Sequence, residues 1–329
     1  MKRDLCHNFR GGNECSKSNP WYRYEHSCGG DPCNCTLPLW QERTLTSGAR
    51  VTGDQNLHNE SIIVSAQALC KRYGKQWALN DLNLSIPRGS SVALVGSNGA
   101  GKTTFLKCIA GLVHATSGSI SVLGRTPDLD EPKHTAQVSY LDQRHPLYGF
   151  LRVNDTLKLG AELNPNWNVS ESERGLEVFQ LQPRKKVKDL SGGQHAQLAL
   201  VLALNKSSQV LLLDEPMASL DPLARTLSRQ LIDTARAHTS LLIVSSHIVS
   251  ELEEMCDYLV LMARGRVALA GRFTQLLDSW RSGSLRLEGS PVELGSSPRG
   301  TFGLEELINN VLLLERTSTT LHLDGRTRL

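Results

Sequence analysis

Long apolar runs are missing from this 329-residue chain. The longest uninterrupted one, Leu198–Leu204, falls far short of the roughly 18–20 residues that a bilayer-spanning helix requires. The chain is therefore expected not to cross a membrane by itself. No apolar segment follows Met1, so no secretory signal is expected either. An excess of one charge is also missing: 36 basic and 33 acidic side chains leave a net +3. That balance offers no bulk attraction to a polyanion or a lipid surface, and no nucleic-acid partner is expected. Paired C-x-x-C spacing, the usual mark of zinc, is missing too. Eight cysteines are present, and five of them (Cys6, Cys15, Cys28, Cys33 and Cys35) lie in the first 35 residues, with His7 and His26 nearby. With no sign of secretion, a disulfide framework is not expected. A reduced, irregular tail is the favoured reading of this cluster, and a metal site is the alternative.

What is present points to a folded enzyme-sized core. Apolar residues make up 40% of the chain and charged residues 21%, which excludes wholesale disorder. The length corresponds to about two average domains. Residues 1–60 lack periodicity and carry turn pairs such as Asn19-Pro20, Gly29-Gly30 and Asp31-Pro32. Seven acidic and seven basic residues cancel there, so the segment is not a basic arm. Order begins near Ser61. Ile62-Ile63-Val64 opens a strand, and Leu82, Leu84 and Ile86 alternate with polar neighbours. Val92–Val95, Val210–Leu213 and Leu241–Val244 are short continuous apolar runs, the mark of strands buried on both faces. Helical patterns separate them, which predicts an α/β domain with a mostly parallel sheet. Leu151–Arg184 reads as a polar helical insert interrupted at Asn164-Pro165-Asn166, and Leu304–Leu314 as one amphipathic helix.

Gly96-Ser97-Asn98-Gly99-Ala100-Gly101-Lys102-Thr103 fits G-x-x-x-x-G-K-[ST] between a predicted strand and a helical run that begins at Thr104. Glycines let backbone N–H groups close around phosphates, and the helix directs its positive end at the same anion. Lys102 adds a full charge, and the Thr103 hydroxyl is a candidate Mg²⁺ ligand. A glycine-rich turn with a chance lysine is the bland alternative. Asp214 and Glu215 end the second buried run. In open α/β sheets the site lies beyond such strand ends. Asp214 is a candidate for Mg²⁺, and Glu215 for the general base that polarises the attacking water. Acids capping the next helix at Pro216 are the alternative.

Between these two motifs stands Leu190-Ser191-Gly192-Gly193-Gln194, a second glycine-rich helix start and a second anion cradle. With it, the chain resembles the nucleotide-binding domain of ABC transporters over about residues 62–275. The resemblance implies a P-loop cassette with a mostly parallel core sheet, a small antiparallel β subdomain and a helical subdomain at about 144–190. It implies boundaries at 1–60 for an irregular extension, 61–276 for the cassette and 277–329 for a C-terminal appendage. It implies ATP and Mg²⁺, and a head-to-tail pair of cassettes in which Ser191, Gly192, Gly193 and Gln194 meet the partner's nucleotide. Tyr73 matches the aromatic that stacks on adenine; a core tyrosine is the alternative. Gln143 matches the glutamine at Mg²⁺ and the attacking water; an ordinary surface residue is the alternative. Asp221, in Ser219-Leu220-Asp221, matches the loop that signals across the dimer, and it could equally be a helix N-cap. His247 matches the histidine at the γ-phosphate, with a structural histidine as alternative. His195 stands where arginine is commoner, and Met217 replaces a small or aliphatic residue.

Leu211–Pro222 and Ser245–Gly265 look most like ATPase subunits of bacterial export systems, including those linked to drug or peptide resistance. The expected protein is an ATPase subunit at the inner face of the cell membrane, driving a separate integral membrane permease. A soluble ABC-type ATPase acting as a regulatory module is the competing reading, and an interaction protein working through the N-terminal cysteines is a third.

Overall fold

The structure, a computed structural model, describes residues 61–285 and 303–324. The N-terminal cysteine cluster lies outside the described residues. In chain order the elements are β1 (Ile62–Tyr73), β2 (Gln76–Pro87), β3 (Ser91–Val95), α1 (Lys102–Ile109), β4 (Ser117–Val122), α2 (Pro132–Gln137), β5 (Val138–Leu141), α3 (Val153–Leu163), α4 (Val169–Val178), α5 (Gly192–Asn205), β6 (Val210–Asp214), α6 (Pro222–Arg236), β7 (Leu241–Ser245), α7 (Val249–Glu253), β8 (Tyr258–Ala263), β9 (Arg266–Arg272), α8 (Phe273–Arg281) and α9 (Leu304–Asp324).

The continuous apolar runs become the centre of the larger sheet, ordered β5-β6-β7-β3-β8-β9. All its pairings are parallel except β8 with β9. Every residue of β3, β6 and β7 is buried, and successive side chains serve opposite cores. Val92, Leu94, Val210, Leu212, Leu241 and Ile243 join one hydrophobic cluster with Phe105, Leu106 and Ile109 of α1. Ala93, Val95, Leu211, Leu213, Leu242 and Val244 join the other, with α5 and α6. Two-sided burial removes the polar alternation that a one-sided strand would show. The smaller sheet, β2-β1-β4, is antiparallel and packs on the side of α1.

The stretch read as an interrupted helical insert forms α3 and α4, separated at Asn164. Asn168 starts α4 by accepting the Glu171 N–H. The helix expected over Leu304–Leu314 extends to Asp324. Its Leu304, Leu307, Ile308 and Val311 are buried in the same cluster as Leu252 and Met255 near α7 and Leu276 and Trp280 of α8. The Leu304 N–H donates to Glu253 at 3.0 Å, and Arg264 donates to the Glu315 carbonyl at 2.6 Å. No described helix is long and apolar enough to cross a membrane. Truncating a fully buried aliphatic removes its transfer energy and leaves a cavity. Leu307→Ala is thus expected to cost about 2–5 kcal/mol, read as an earlier urea midpoint.

Candidate functional site

Strand register builds the site. Leu141 lies opposite Leu213, Leu213 opposite Val244, and Asp214 opposite Ser245. Leu94 of β3 also lies opposite Ser245. Four parallel strands therefore end in a row, and the residues that follow them (Gly96, Gln143, Glu215 and His247) share one edge of the sheet. Sites in open α/β sheets form at such an edge because loops there are released from the ladder.

The phosphate loop leaves β3 at Gly96 and enters α1 at Lys102. Gly101 has φ 104°, and a Cβ there would stand 2.5 Å from the Ala78 carbonyl oxygen. At Gly96 a Cβ would stand 2.4 Å from that of Met262. Only glycine lets the backbone wrap this tightly against β2 and β8. The Ala100 N–H donates to the Ser97 carbonyl at 3.0 Å, and the Gly265 N–H donates to the Ala100 carbonyl at 2.9 Å. Ser97, Asn98 and Gly99 remain exposed, and Thr103 and Thr104 are half-buried in the first turn of α1. Lys102 is buried. Its Nζ donates to the carbonyls of Gly96 at 2.6 Å and Ser97 at 3.4 Å. Burial pulls this ammonium below its ordinary pKa, opposed by the charges of Glu215 and Asp214.

Asp214 is 1% exposed and accepts from the Ser245 hydroxyl at 2.6 Å. The Tyr140 hydroxyl lies 3.4 Å from Asp214 and 3.3 Å from Asp142. Burial and these two carboxylates push the phenol far up, so it stays protonated. Burial raises the Asp142 carboxyl, but the Arg144 N–H and Lys107, 2.9 Å away, outweigh it and hold the group below its usual range. Glu215 sits at φ 52°, a left-handed backbone that costs a non-glycine residue of order 1–3 kcal/mol. Its N–H donates to the Ser245 hydroxyl at 2.9 Å and to the Ser245 carbonyl at 3.2 Å. His247 Nδ1 lies 3.0 Å from Glu215 Oε2. The histidine side chain is 62% exposed, the glutamate 11%.

The remaining sequence candidates are more scattered. Gln143 is exposed beyond the end of β5. Tyr73 ends β1, half-exposed beneath Lys71 Nζ at 5.3 Å from the ring centre, on the hairpin whose Ala78 abuts Gly101. Ser191 caps α5 in a reciprocal box with Gln194, at 3.2 and 3.3 Å, which starts the helix at Gly192. Gly192 and Gly193 form its first turn, and a Cβ on Gly193 would lie 3.8 Å from the Ser219 carbonyl oxygen. Asp221 caps α6, accepting the Ala224 N–H at 2.9 Å. Among the described residues, no hydrogen bond joins Tyr73, Ser191–Gln194 or Asp221 to Gly96–Thr104. Ser245, Tyr140 and Lys107 were not expected from sequence. A serine closing an apolar strand was the available signal for Ser245, and nothing local marks the other two.

A tight glycine loop at a helix start, beside acids at the next strand ends, defines a nucleoside-triphosphatase of the phosphate-loop class. Residues 79–218 match the family model described as ABC transporter. The lantibiotic transport ATP-binding protein SrtF of Streptococcus pyogenes is 31% identical over 261 residues, covering 77% of this chain and 99% of that protein. Nod factor export ATP-binding protein I of Cupriavidus pinatubonensis is 32% identical over 222 residues, 66% of this chain and 68% of its own. A solved ATP binding subunit of an ABC transporter superposes with TM-score 0.64 at 26% identity, over 76% of this chain and 99% of that one. The dimeric cassette MJ0796, bound to ADP and Pi, shares the fold at TM-score 0.57 and 22% identity, over 64% of this chain and 98% of that one. The chain belongs to the ATP-binding proteins of the ABC transporter family, and it is an ATPase of that family.

Ser245→Ala removes the donor to buried Asp214 and one acceptor for Glu215. It is expected to destabilise the fold by about 1–3 kcal/mol and to lower ATPase turnover, read from a denaturation midpoint and a phosphate-release assay.

Proposed function

We propose that this chain is the ATP-hydrolysing subunit of an export system. It works as one of a pair of cassettes at the cytoplasmic face of a membrane and drives a separate integral permease. The observation that carries this reading is the single edge on which Lys102, Asp214, Glu215 and His247 meet, together with a second glycine-rich helix start that faces solvent elsewhere on the chain.

The residues fit Mg-ATP. The close approaches at Gly96 and Gly101 hold the loop in a tight turn at the start of α1, where backbone N–H groups would meet the β- and γ-phosphates. The buried Lys102 ammonium is held by neutral carbonyls, so phosphate oxygens would stabilise it further. The Thr103 hydroxyl, Asp214 and Gln143 are hard oxygen donors suited to Mg²⁺. That ion, when bound, neutralises charge on the β- and γ-oxygens. Glu215 takes a proton from the attacking water as the new P–O bond forms in line. The bond from the γ-phosphorus to the bridging oxygen breaks, and ADP departs with the electron pair. His247, placed against Glu215 through Nδ1, faces the γ-phosphate. Tyr73 offers its ring to the adenine.

A chain with two anion cradles that do not meet calls for a partner. Ser191–Gln194 of one cassette would close on the nucleotide of the other, with Asp221 at the same boundary. The names of the relatives, lantibiotic transport and Nod factor export, support the export direction. Just after Gln143, Tyr148 and Phe150 are 62% and 73% exposed, with ring centres 5.7 Å apart. Two adjoining solvent-facing aromatics suit an interaction surface, here for a cytoplasmic segment of the permease.

Three outcomes test this reading. Glu215→Gln is expected to keep ATP affinity, lose at least a hundredfold in turnover and accumulate as a nucleotide-bound dimer in size-exclusion chromatography. Near-normal turnover would remove Glu215 as the base. Lys102→Ala is expected to weaken nucleotide binding at least tenfold in a fluorescent-nucleotide titration, as expected when a charge-assisted contact is lost. The Tyr148→Ser/Phe150→Ser double variant is expected to keep its melting temperature and to stop co-purifying with an integral membrane partner that the wild-type chain retains.

A further inference from the structure

Three arginines of α6 point at α7 and the turn after it. Arg225 Nη1 donates to Glu251 Oε1 at 3.1 Å, Arg229 pairs with Glu254, and Arg236 donates to the Met255 carbonyl at 2.7 Å. Of the three, Arg225 alone has a second task. Its Nε donates to the Leu220 carbonyl at 3.0 Å. Leu220 lies in the loop Ser219–Asp221, its side chain buried. The loop's Ser219 carbonyl faces Gly193, and its Asp221 starts α6. Glu251 stands in the first turn of α7, four residues after His247. The Ile248 N–H, donating to the Ser246 hydroxyl at 3.1 Å, ties the approach to α7 back to the strand end that carries His247.

One guanidinium therefore holds the loop of Asp221 with one nitrogen and the helix behind His247 with another. The planar fork fixes the angle between these two acceptors, which an ammonium on a flexible stem does not. As a stabilising ion pair the contact has little to offer, because its side chains are 34% and 21% exposed and water screens such pairs. We propose that Arg225 is a positioning residue for ATP hydrolysis. It locks Ser219–Asp221, the loop facing the partner cassette, to the histidine that faces the γ-phosphate, so that the two sites of a dimer move together. This rests on the roles given above to Asp221, His247 and Glu215.

The test uses the full-length protein. Arg225→Lys keeps the charge opposite Glu251 and loses the fork, and Glu251→Gln loosens the other end. Each is expected to lower kcat about ten- to a hundredfold, with ATP affinity and melting temperature unchanged. The double variant is expected to fall no further than the worse single one, since both break one brace. Arg229→Ala, which links the same helices without touching the loop, is expected to keep wild-type kcat. Unchanged kcat in both Arg225→Lys and Glu251→Gln overturns the brace, as does an equal loss in Arg229→Ala. A loss of kcat that only tracks a falling melting temperature also overturns it. Glu215→Gln is assayed alongside. If it hydrolyses ATP normally, the underlying reading fails. If it is inactive while the Arg225 and Glu251 variants match wild type, only the brace falls.

Discussion

The site hangs on a charge taken out of water. Lys102 is buried against two carbonyls, and Asp214 and Glu215 supply the opposing charges that steady its ammonium. A buried ion persists only when fixed dipoles and counter-charges replace its hydration. That requirement places the glycine loop, the carboxylates and the ends of four parallel strands together. Ser245 finishes the arrangement, because its hydroxyl donates to Asp214 and accepts from the Glu215 backbone. The groups that stabilise this lysine are also those that would face a triphosphate, so stability and chemistry draw on one set of atoms.

The chemistry of the site was legible wherever it was local in the chain. The phosphate loop is eight consecutive residues, the carboxylates are neighbours, and the second helix start reads from Ser191 to Gln194. The apolar runs likewise announced the buried strands, since a strand covered on both faces has no polar alternation to hide it. What stayed hidden depends on register and on long-range contact. Ser245 reaches Asp214 across 31 positions, and Arg225 reaches Glu251 across 26. Tyr140 reads as one more strand residue until the register sets it between two carboxylates. The left-handed turn at Glu215 is equally invisible, because glutamate gives no sign of a positive φ. Helix starts are set by caps as much as by periodicity, as at Gly192, where the reciprocal box of Ser191 and Gln194 begins α5.

Order continues beyond the family-matched segment. α9 contributes four buried side chains to the same cluster as α5 and α6. Arg264 holds its Glu315 carbonyl, and the neighbouring Gly265 holds Ala100 of the phosphate loop. The C-terminal helix is thus two hydrogen bonds and one turn away from the nucleotide cradle.

Glu215 stands in a conformation that its own residue type disfavours. Glycine, or to a lesser degree asparagine, would relax that backbone. Selection for folding and selection for turnover therefore pull this position in opposite directions. A mutational survey scored on protein abundance would enrich glycine at 215, and one scored on ATP consumption would retain glutamate. The gap between the two scores would measure how much conformational stability this lineage gives up to keep its carboxylate in place.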